Sequence, residues 1–354
     1  MTDVRKGMPS VQLELPAFRQ RFFALFDDPA FEPLADDLEA ACAVAWDAYT
    51  HARKAPRTAK AGQGFADPDY DLSIEWRATR DAIDAARERH ADRDRPPRIL
   101  VINGSPRSEH TCPGEMSKTW RLVERARSTL ERAGAECELL DLSRLASEYG
   151  RHIHPCKACF STSPALCHWP CSCYPNHALA QVNDWMADIY PMWVAAHGIM
   201  IVTPVHWYQA PTGLKAMLDR LVCADGGNPD PSSTHGKDAE RAKKLEDGWP
   251  YPRHLQGRVF SVIVHGDSAG ADSLRRSLHD LLADMHLQPA GRSAIVDRYI
   301  GYYRPYATSH EDLDADQAMF AEVENAALTL TEAVERYRSG EREAGDDLPD
   351  PRPK

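Results

Sequence analysis

The sequence predicts an α/β fold in which a doubly wound parallel sheet follows a helical N-terminal part. Three observations predict it. After Pro97, five short apolar runs alternate with stretches whose apolar residues recur at helical spacing. The runs are apolar throughout, which is typical of strands buried on both faces of a parallel sheet. Before Pro97 the chain shows only helical spacing and one loop-like stretch, and the charged segment 87–98 separates the two parts.

The N-terminal part is predicted to contain three helices, at residues 13–26, 34–50 and 74–90. Between the second and the third lies a loop-like stretch, residues 55–71, rich in Lys, Gly, Pro and Asp. No group of chemically reactive side chains clusters here. We therefore expect residues 1–95 to form a helical extension that packs on the main domain or on another subunit.

The main domain is predicted to run from residue 98 to residue 338. Its first strand, Arg98 to Asn103, leads through a loop into a helix that begins near Met116, and Gly134 lies where a C-terminal cap belongs. The remaining predicted strands span residues 135–142, 198–203, 258–264 and 293–296. The remaining predicted helices span residues 180–196, bent at Pro191, then 211–222, 271–286 and 316–338, and residues 339–354 form a disordered tail.

Five strands in this arrangement suit a flavodoxin-like sheet of order 2-1-3-4-5. In such sheets ligands bind beyond the carboxyl ends of the strands, where the strand order reverses between the first and third strands. The loops after the first, third and fourth strands are therefore where we expect the functional residues.

Composition excludes several classes of protein. The 354 residues carry 42 Lys and Arg against 53 Asp and Glu, a net charge of −11, so we expect no nucleic-acid partner. No apolar run approaches the roughly 20 residues that span a bilayer, so we expect no membrane integration. Nine cysteines are too few for a disulfide scaffold and the N-terminus lacks a signal-peptide pattern, which favours a reducing, cytoplasmic location.

The first loop, from Gly104 to the helix start, contains neither a dinucleotide-binding glycine fingerprint nor a Walker A motif. Its hydroxyl groups and one guanidinium, together with the N–H groups of the helix start, can hold a phosphate monoester. The alternative is a serine-rich turn that only caps the helix. The candidate side chains are Ser105, Arg107, Ser108 and Ser117.

The second loop follows the third strand and carries consecutive imidazole and aromatic side chains. His206, Trp207 and Tyr208 come directly after Pro204 and Val205. Such a cluster can flank a flat ring system whose polar edge meets backbone amides. Alternatively, the two aromatic residues cover the end of the sheet and His206 is structural.

With these loops identified, the sequence resembles the NAD(P)H-dependent FMN reductases and the related iron-sulfur flavoproteins of the flavodoxin-like superfamily. The resemblance rests on three stretches in the family's order, and it covers residues 98–338. These are Ile-Asn-Gly-Ser-Pro-Arg at 102–107, Thr-Pro-Val-His-Trp at 203–207 continuing to Leu-Lys-Ala-Met-Leu-Asp-Arg at 214–220, and His-Gly-Asp leading into Ala-Gly at 265–270.

The resemblance implies an FMN site. The first loop would take the FMN phosphate, and Pro204 to Tyr208 would border the isoalloxazine. The third loop would close over the other edge of the ring with His265, Gly266, Asp267 and Gly270. Between residues 107 and 117 the first loop is longer than is usual in the family.

The activity that we expect on this basis is an FMN-dependent transfer of electrons from NAD(P)H to a small acceptor, such as a quinone or a free flavin. The cofactor itself carries the hydride chemistry, so we nominate no catalytic residue. We expect the protein to be a homodimer or homotetramer.

Five of the nine cysteines fall within residues 156–173, and this cluster leaves alternatives open. Thiolates can hold a [4Fe–4S] cluster or zinc, or the cysteines can be metal-free and redox-active or merely buried. The iron-sulfur flavoproteins carry a compact cysteine motif in this interval, but this chain has Thr162 where that motif has its third cysteine. Two rival functions follow, an iron-sulfur electron carrier and a flavin-free, zinc-stabilised binding module. The cysteines are Cys156, Cys159, Cys167, Cys171 and Cys173.

Overall fold

The N-terminal part forms three helices and one short hairpin in the computed structural model, which describes residues 4–266 and 269–341. The elements are α1 (Leu15–Phe23), α2 (Ala35–Thr50), β1 (Thr58–Lys60), β2 (Asp71–Ser73) and α3 (Ile74–Ala91). Strands β1 and β2 pair in antiparallel fashion. Residues 55–71, which the sequence predicts to be a loop, therefore contain β1 and the first residue of β2. These two strands have three residues each and are too short to give a periodic signal.

The central sheet is parallel, and its first four strands follow the order 2-1-3-4 of the predicted arrangement. Strands β3 (Arg98–Asn103), β4 (Glu136–Asp141), β5 (Gly198–Pro204) and β6 (Val259–Gly266) lie in the order β4-β3-β5-β6. The fifth position differs from the prediction because two short strands share it. Both β7 (Gln288–Pro289) and β8 (Ile295–Tyr299) pair with β6. A proline cannot donate to a sheet hydrogen bond, and the edge strand is interrupted just after Pro289.

Nine helices follow β3 within the described residues, and none of the described helices has the length and apolar character needed to cross a membrane. The helix predicted at 180–196 begins only at residue 186, because Ala180 and Asn183 adopt left-handed backbone conformations that end helical structure. The nine are α4 (Lys118–Arg132), α5 (Arg144–Ser147), α6 (Cys159–Thr162), α7 (Met186–Ala195), α8 (Thr212–Leu221), α9 (Ala239–Glu246), α10 (Ala271–Asp284), α11 (Ser309–Ala315) and α12 (Gln317–Ser339).

Helices cover both faces of the sheet. On one face, α4 and α12 pack against each other and against the strands through residues such as Leu122 and Leu330. On the other face lie α7, α8 and α10, and α3 from the N-terminal part joins them. Ile83 of α3 is buried in the same cluster as Trp193 of α7. Both faces are thus covered by helices, so ligand access is expected at the carboxyl edge of the sheet.

Helices α1 and α2 lie outside this core. No residue of α1 is buried, and Cys42 is the buried residue of α2. Their aromatic side chains contact one another, as Phe18 does with Trp46 at a centroid distance of 5.2 Å. Within the described N-terminal part, α3 therefore enters the core of the main domain, whereas α2 and the hairpin contact it at residues 177–179 and 231–234.

Candidate functional site

A cleft of about 320 Å³ opens at the carboxyl ends of β3, β5 and β6. This is the position at which the strand order of the sheet reverses, where open α/β sheets bind ligands. Its size falls within the range of small-molecule sites. The lining residues are Ser105, Pro106, Arg107, Ser117, Lys118, Thr119, Pro204, Val205, His206, His265, Gly266, Ile300 and Tyr306.

Two glycines allow the three loops around the cleft to approach one another closely. A Cβ on Gly104 would lie 2.6 Å from Thr203 Oγ1, and a Cβ on Gly266 would lie 2.6 Å from Val205 Cγ1. Both distances are far below van der Waals contact. The backbone N–H of Val205 also donates to the carbonyl of His265 at 2.8 Å, which ties the second loop to the third.

Hydrogen bonds of a buried asparagine orient the first loop. Asn103 Nδ2 donates to Asp141 Oδ1 at 2.7 Å, and Asn103 Oδ1 accepts from the backbone N–H of Ser105 at 3.1 Å. Ser105 Oγ accepts in turn from the backbone N–H of Arg107 at 3.2 Å. This chain of bonds places the Arg107 side chain against the cleft.

Two cationic side chains meet in the cleft over the ring of Tyr306. The Arg107 Cζ atom lies 4.7 Å and the Lys118 Nζ atom 5.1 Å from its centroid. Arg107 Nη1 donates to the carbonyl of Cys112 at 3.0 Å, but its Nε and Nη2 groups are buried and have no hydrogen-bond partner. Buried donors without acceptors are costly, and those of a guanidinium especially so.

The same cleft includes the first turn of α4, whose N–H groups and positive dipole end also favour an anion. Ser117 caps this helix, since its Oγ accepts from the backbone N–H of Trp120 at 3.0 Å. Together with Arg107 and Lys118, this donor set fits a phosphate monoester, and FMN carries such a group. Lys118 and Thr119 were missed by the sequence reasoning although they directly follow the candidate Ser117. Ile300 and Tyr306 come from a distant segment that gave no signal.

The predicted serines line two clefts. Ser105 lines the cleft at the strand ends, Ser108 lines a second cleft of about 520 Å³, and Ser117 lines both. Ser108 Oγ accepts from the backbone N–H of His110 at 3.2 Å. Arg107 lines both clefts, and Asp141 and Arg144 belong to the second.

The second loop makes a tight turn that projects its aromatic side chains outward. The backbone N–H of His206 donates to the carbonyl of Gln209, and that of Gln209 to the carbonyl of His206, both at 2.9 Å. Between them Trp207 (φ 48°) and Tyr208 (φ 68°) are both left-handed, a combination that turns of this kind usually fill with Asn and Gly. Trp207 is 92% exposed and Tyr208 57%.

The remaining predicted residues of the second loop line the cleft, and the third loop packs against its tip. Pro204, Val205 and His206 are lining residues. A Cβ on Gly270 would lie 2.6 Å from the Cα of Tyr208, so the third loop touches the turn where it has no side chain. Trp207, Tyr208 and Gly270 are not among the lining residues, and Asp267 falls outside the described residues.

His265 is a buried imidazole at the end of β6. Its Nε2 atom lies 2.9 Å from Thr119 Oγ1, so it connects the third loop with the first turn of α4. Burial lowers the pKa of His265 to about 3. The ring is therefore neutral at ordinary pH and contributes hydrogen bonding, not charge, to the cleft.

The five clustered cysteines lie away from this cleft. Cys167 is buried and the other four are partly exposed, and the Sγ atoms of Cys159 and Cys173 are 3.6 Å apart. Across residues 4–266 and 269–341, no three or more Cys, His, Asp or Glu side chains are arranged to hold a metal ion. The predicted metal ligands Cys156, Cys159, Cys167, Cys171 and Cys173 thus receive no support from the geometry.

Comparison with known proteins identifies a family and one curated relative. The family model described as NADPH-dependent FMN reductase matches residues 97–300, more than half of the chain. An iron-sulfur flavoprotein from Methanosarcina thermophila is 28% identical over 125 residues, which is 35% of this chain. The match spans 52% of that relative, about half of its length.

Solved structures with similar folds include RosB and a flavone reductase. RosB with a bound 8-demethyl-8-formylriboflavin-5′-phosphate is 14% identical, with 69% of this chain and 81% of RosB covered and a TM-score of 0.47. A flavone reductase is 19% identical, with 70% and 66% covered and a TM-score of 0.39.

Proposed function

The chain belongs to the NADPH-dependent FMN reductase family, and on that premise we propose that it is an FMN-dependent oxidoreductase. It would pass electrons from NAD(P)H through FMN to a small acceptor, such as a quinone or a free flavin. The observation that carries the proposal is the pair of buried Arg107 N–H groups without acceptors, in a cleft at the reversal point of the sheet. A phosphate monoester supplies the missing acceptors.

Residues of this chain would hold the two ends of FMN differently. Arg107, Lys118 and the first turn of α4 would bind the phosphate by charge and hydrogen bonds. Val205, His206 and Gly266 would border the ring system, and the hydrogen bond between Val205 and His265 keeps their loops at a fixed separation. Bound FMN would accept hydride from the nicotinamide and supply the redox chemistry. The protein's contribution is binding and orientation.

The exposed turn at 206–209 would help receive the second flat molecule. Trp207 and Tyr208 present aromatic surface beside the cleft, and holding bulky residues in left-handed conformations costs about 1–3 kcal/mol each. Strain of this kind persists where it serves a function. We assign these rings to contacts with the nicotinamide or the acceptor, or with a second subunit of the homodimer or homotetramer that we expect.

A second candidate is an iron-sulfur flavoprotein that carries electrons between partners. The curated relative bears that name, and five cysteines of this chain cluster at residues 156–173. This candidate requires a metal cluster at the cysteines in addition to FMN. Family membership gives no support to a flavin-free zinc module.

One experiment separates the candidates. Full-length protein is purified anaerobically, incubated with FMN, freed of unbound flavin and assayed for NADPH and NADH oxidation with a quinone acceptor. The leading proposal predicts a flavin spectrum, no stoichiometric iron and quinone-dependent oxidation of one or both nucleotides. Stoichiometric iron without nucleotide oxidation would favour the electron carrier. Failure to retain flavin would contradict both candidate functions.

A further inference from the structure

Three thiols lie together outside the flavin cleft. Cys159 is the first residue of α6, and Cys171 and Cys173 belong to the loop that leads back past it. The Sγ atoms of Cys159 and Cys173 are 3.6 Å apart, and Cys171 interacts electrostatically with Cys173. All three residues are partly exposed, and Cys159 and Cys171 also pack against the core.

The distance between Cys159 and Cys173 is that of two reduced thiols close enough to form a disulfide. A disulfide has a sulfur-sulfur distance of about 2.0 Å. A separation of 3.6 Å is close to contact between two unbonded sulfur atoms. Small side-chain rotations would therefore bring the two sulfurs to bonding distance.

A lysine side chain lies beside the thiol cluster. Lys54 Nζ donates to the carbonyl of Ser172, the residue between Cys171 and Cys173. Its positive charge acts on all three thiols. Positive charge beside a partly exposed cysteine is what distinguishes reactive thiols from inert buried ones. Cys173 lies between the other two thiols, so its S–H can donate to Cys159, which leaves Cys159 as the accepting sulfur.

The N-terminal part holds this arrangement in place. The carbonyl of Lys54 accepts from the backbone N–H of His177 at 3.0 Å. The indole N–H of Trp76, on α3, donates to the carbonyl of Pro170 at 2.8 Å. The cysteine loop is thus fastened at both ends to the N-terminal part, which supplies the cation as well.

We propose that Cys159 and Cys173 form a redox-active dithiol that reduces low-molecular-weight disulfides. The sulfur of Cys159 attacks one sulfur of the disulfide, forms a mixed disulfide and releases one small thiolate, which takes up a proton. The sulfur of Cys173 loses its proton, attacks Cys159 and releases the second small thiol. One protein disulfide and two small thiols result, and two electrons pass from the dithiol to the small disulfide.

The test follows individual thiols by alkylation and peptide mass spectrometry, with oxidised glutathione as the disulfide. Wild-type protein, with and without FMN, is treated with oxidised glutathione and alkylated, and each cysteine is scored. We expect Cys159 and Cys173 to lose alkylation together, with a mass two hydrogens lower, while exposed Cys112 remains alkylated. Dithiothreitol restores both. The same result with and without FMN makes the test independent of the flavin proposal.

Single substitutions test the separate roles of Cys159, Cys173 and Lys54. The Cys173→Ser protein should accumulate a glutathione adduct on Cys159, whereas the Cys159→Ser protein should accumulate several-fold less adduct on Cys173. Lys54→Gln should slow adduct formation several-fold, and Lys60→Gln, an exposed lysine of the same part, should not. The proposal is overturned if Cys159 and Cys173 react no faster than Cys112. It is also overturned if the purified protein carries stoichiometric zinc or iron that blocks both thiols.

Discussion

At the scale of single residues, Arg107 carries most of the argument for an anionic ligand. Its Nη1 group donates within the loop, whereas Nε and Nη2 are buried without an acceptor, and the residue lines two clefts. Ser105 positions the backbone of Arg107 and is itself held by Asn103. The guanidinium is therefore fixed in place before any ligand arrives, which lowers the entropic cost of binding.

Replacing Arg107 with alanine should weaken FMN far more than riboflavin, because only FMN has the phosphate. Hydrogen bonds to charged groups contribute about 1.5–3 kcal/mol, so the Kd for FMN should rise roughly 10- to 150-fold. Fluorescence titration of both flavins measures this, with Arg276→Ala as an exposed control. Equal losses for FMN and riboflavin would remove the assigned role.

The residues that sequence reasoning found and missed differ in a physical way. Candidates that directly follow a strand, such as Ser105, Val205 and Gly266, do line the cleft. Ser108 lines the second cleft instead, where its loop turns at residues 108–111, and no periodicity encodes that turn. Tyr306 lies some forty residues beyond the end of β6. Only tertiary packing brings it over Arg107, so no local pattern could predict it.

At the scale of elements, the apolar runs predicted the strands well because burial on both faces leaves few alternatives. The errors lie where the backbone departs from regular structure. The residues before α7 break the predicted helix by left-handed conformations at Ala180 and Asn183. The fifth strand is split after Pro289. Amino-acid propensity does not predict the left-handed conformations before α7. A single proline predicts the break in the fifth strand only when the strand register is known.

We expect the left-handed turn at 206–209 to lower the stability of the fold and to strengthen binding of the nicotinamide or the acceptor. Replacing Trp207 with Asn and Tyr208 with Gly should relieve left-handed strain and raise the free energy of unfolding of the flavin-free protein by about 1–3 kcal/mol. The same change should weaken binding of the nicotinamide or the acceptor, since it removes two exposed rings. Urea unfolding and the KM values for the nucleotide and the quinone measure the two effects. Lower stability with unchanged KM values would show that the rings only cover the sheet.

Because α3 packs into the core and α1 does not, we expect substitutions in these two regions of the N-terminal part to differ in their effect on the free energy of unfolding. Ile83 is 1% exposed and shares a cluster with Trp193, so Ile83→Ala should cost about 2–5 kcal/mol of unfolding free energy. Leu25, just after α1, is 71% exposed, and Leu25→Ala should change it by less than about 0.5 kcal/mol. Urea unfolding of both variants provides the comparison. Similar small effects would mean that α3 is only loosely docked.

At the scale of the whole molecule, buried neutral histidines predict sensitivity to acid. Burial lowers the pKa to about 4 in His168 and His197 and to about 3 in His265. The unfolded chain, with pKa values near 6.5, binds more protons in this range, so stability is fully present above pH 6.5 and falls as the pH falls below it. Between pH 6.5 and pH 5.5 each histidine should remove about 1 kcal/mol.

The acid effect is measured as the free energy of urea unfolding of flavin-free protein at pH 7.5, 6.5 and 5.5. A loss of at least about 3 kcal/mol from pH 6.5 to pH 5.5 is expected, because the three buried histidines contribute about 1 kcal/mol each. His90 and His254 add to this loss, since burial lowers their pKa values to about 3 and about 4. A flat or rising profile over this interval would contradict the account of the buried imidazoles.

The whole account depends on one claim, that the cleft at the ends of β3, β5 and β6 holds FMN by its phosphate. Equilibrium dialysis of the full-length protein against FMN, and separately against riboflavin, tests it most directly. The account predicts saturation at one FMN for each chain and binding of riboflavin at least roughly tenfold weaker, since the phosphate contacts are lost. No saturable binding of FMN, or equal affinity for the two flavins, would contradict it.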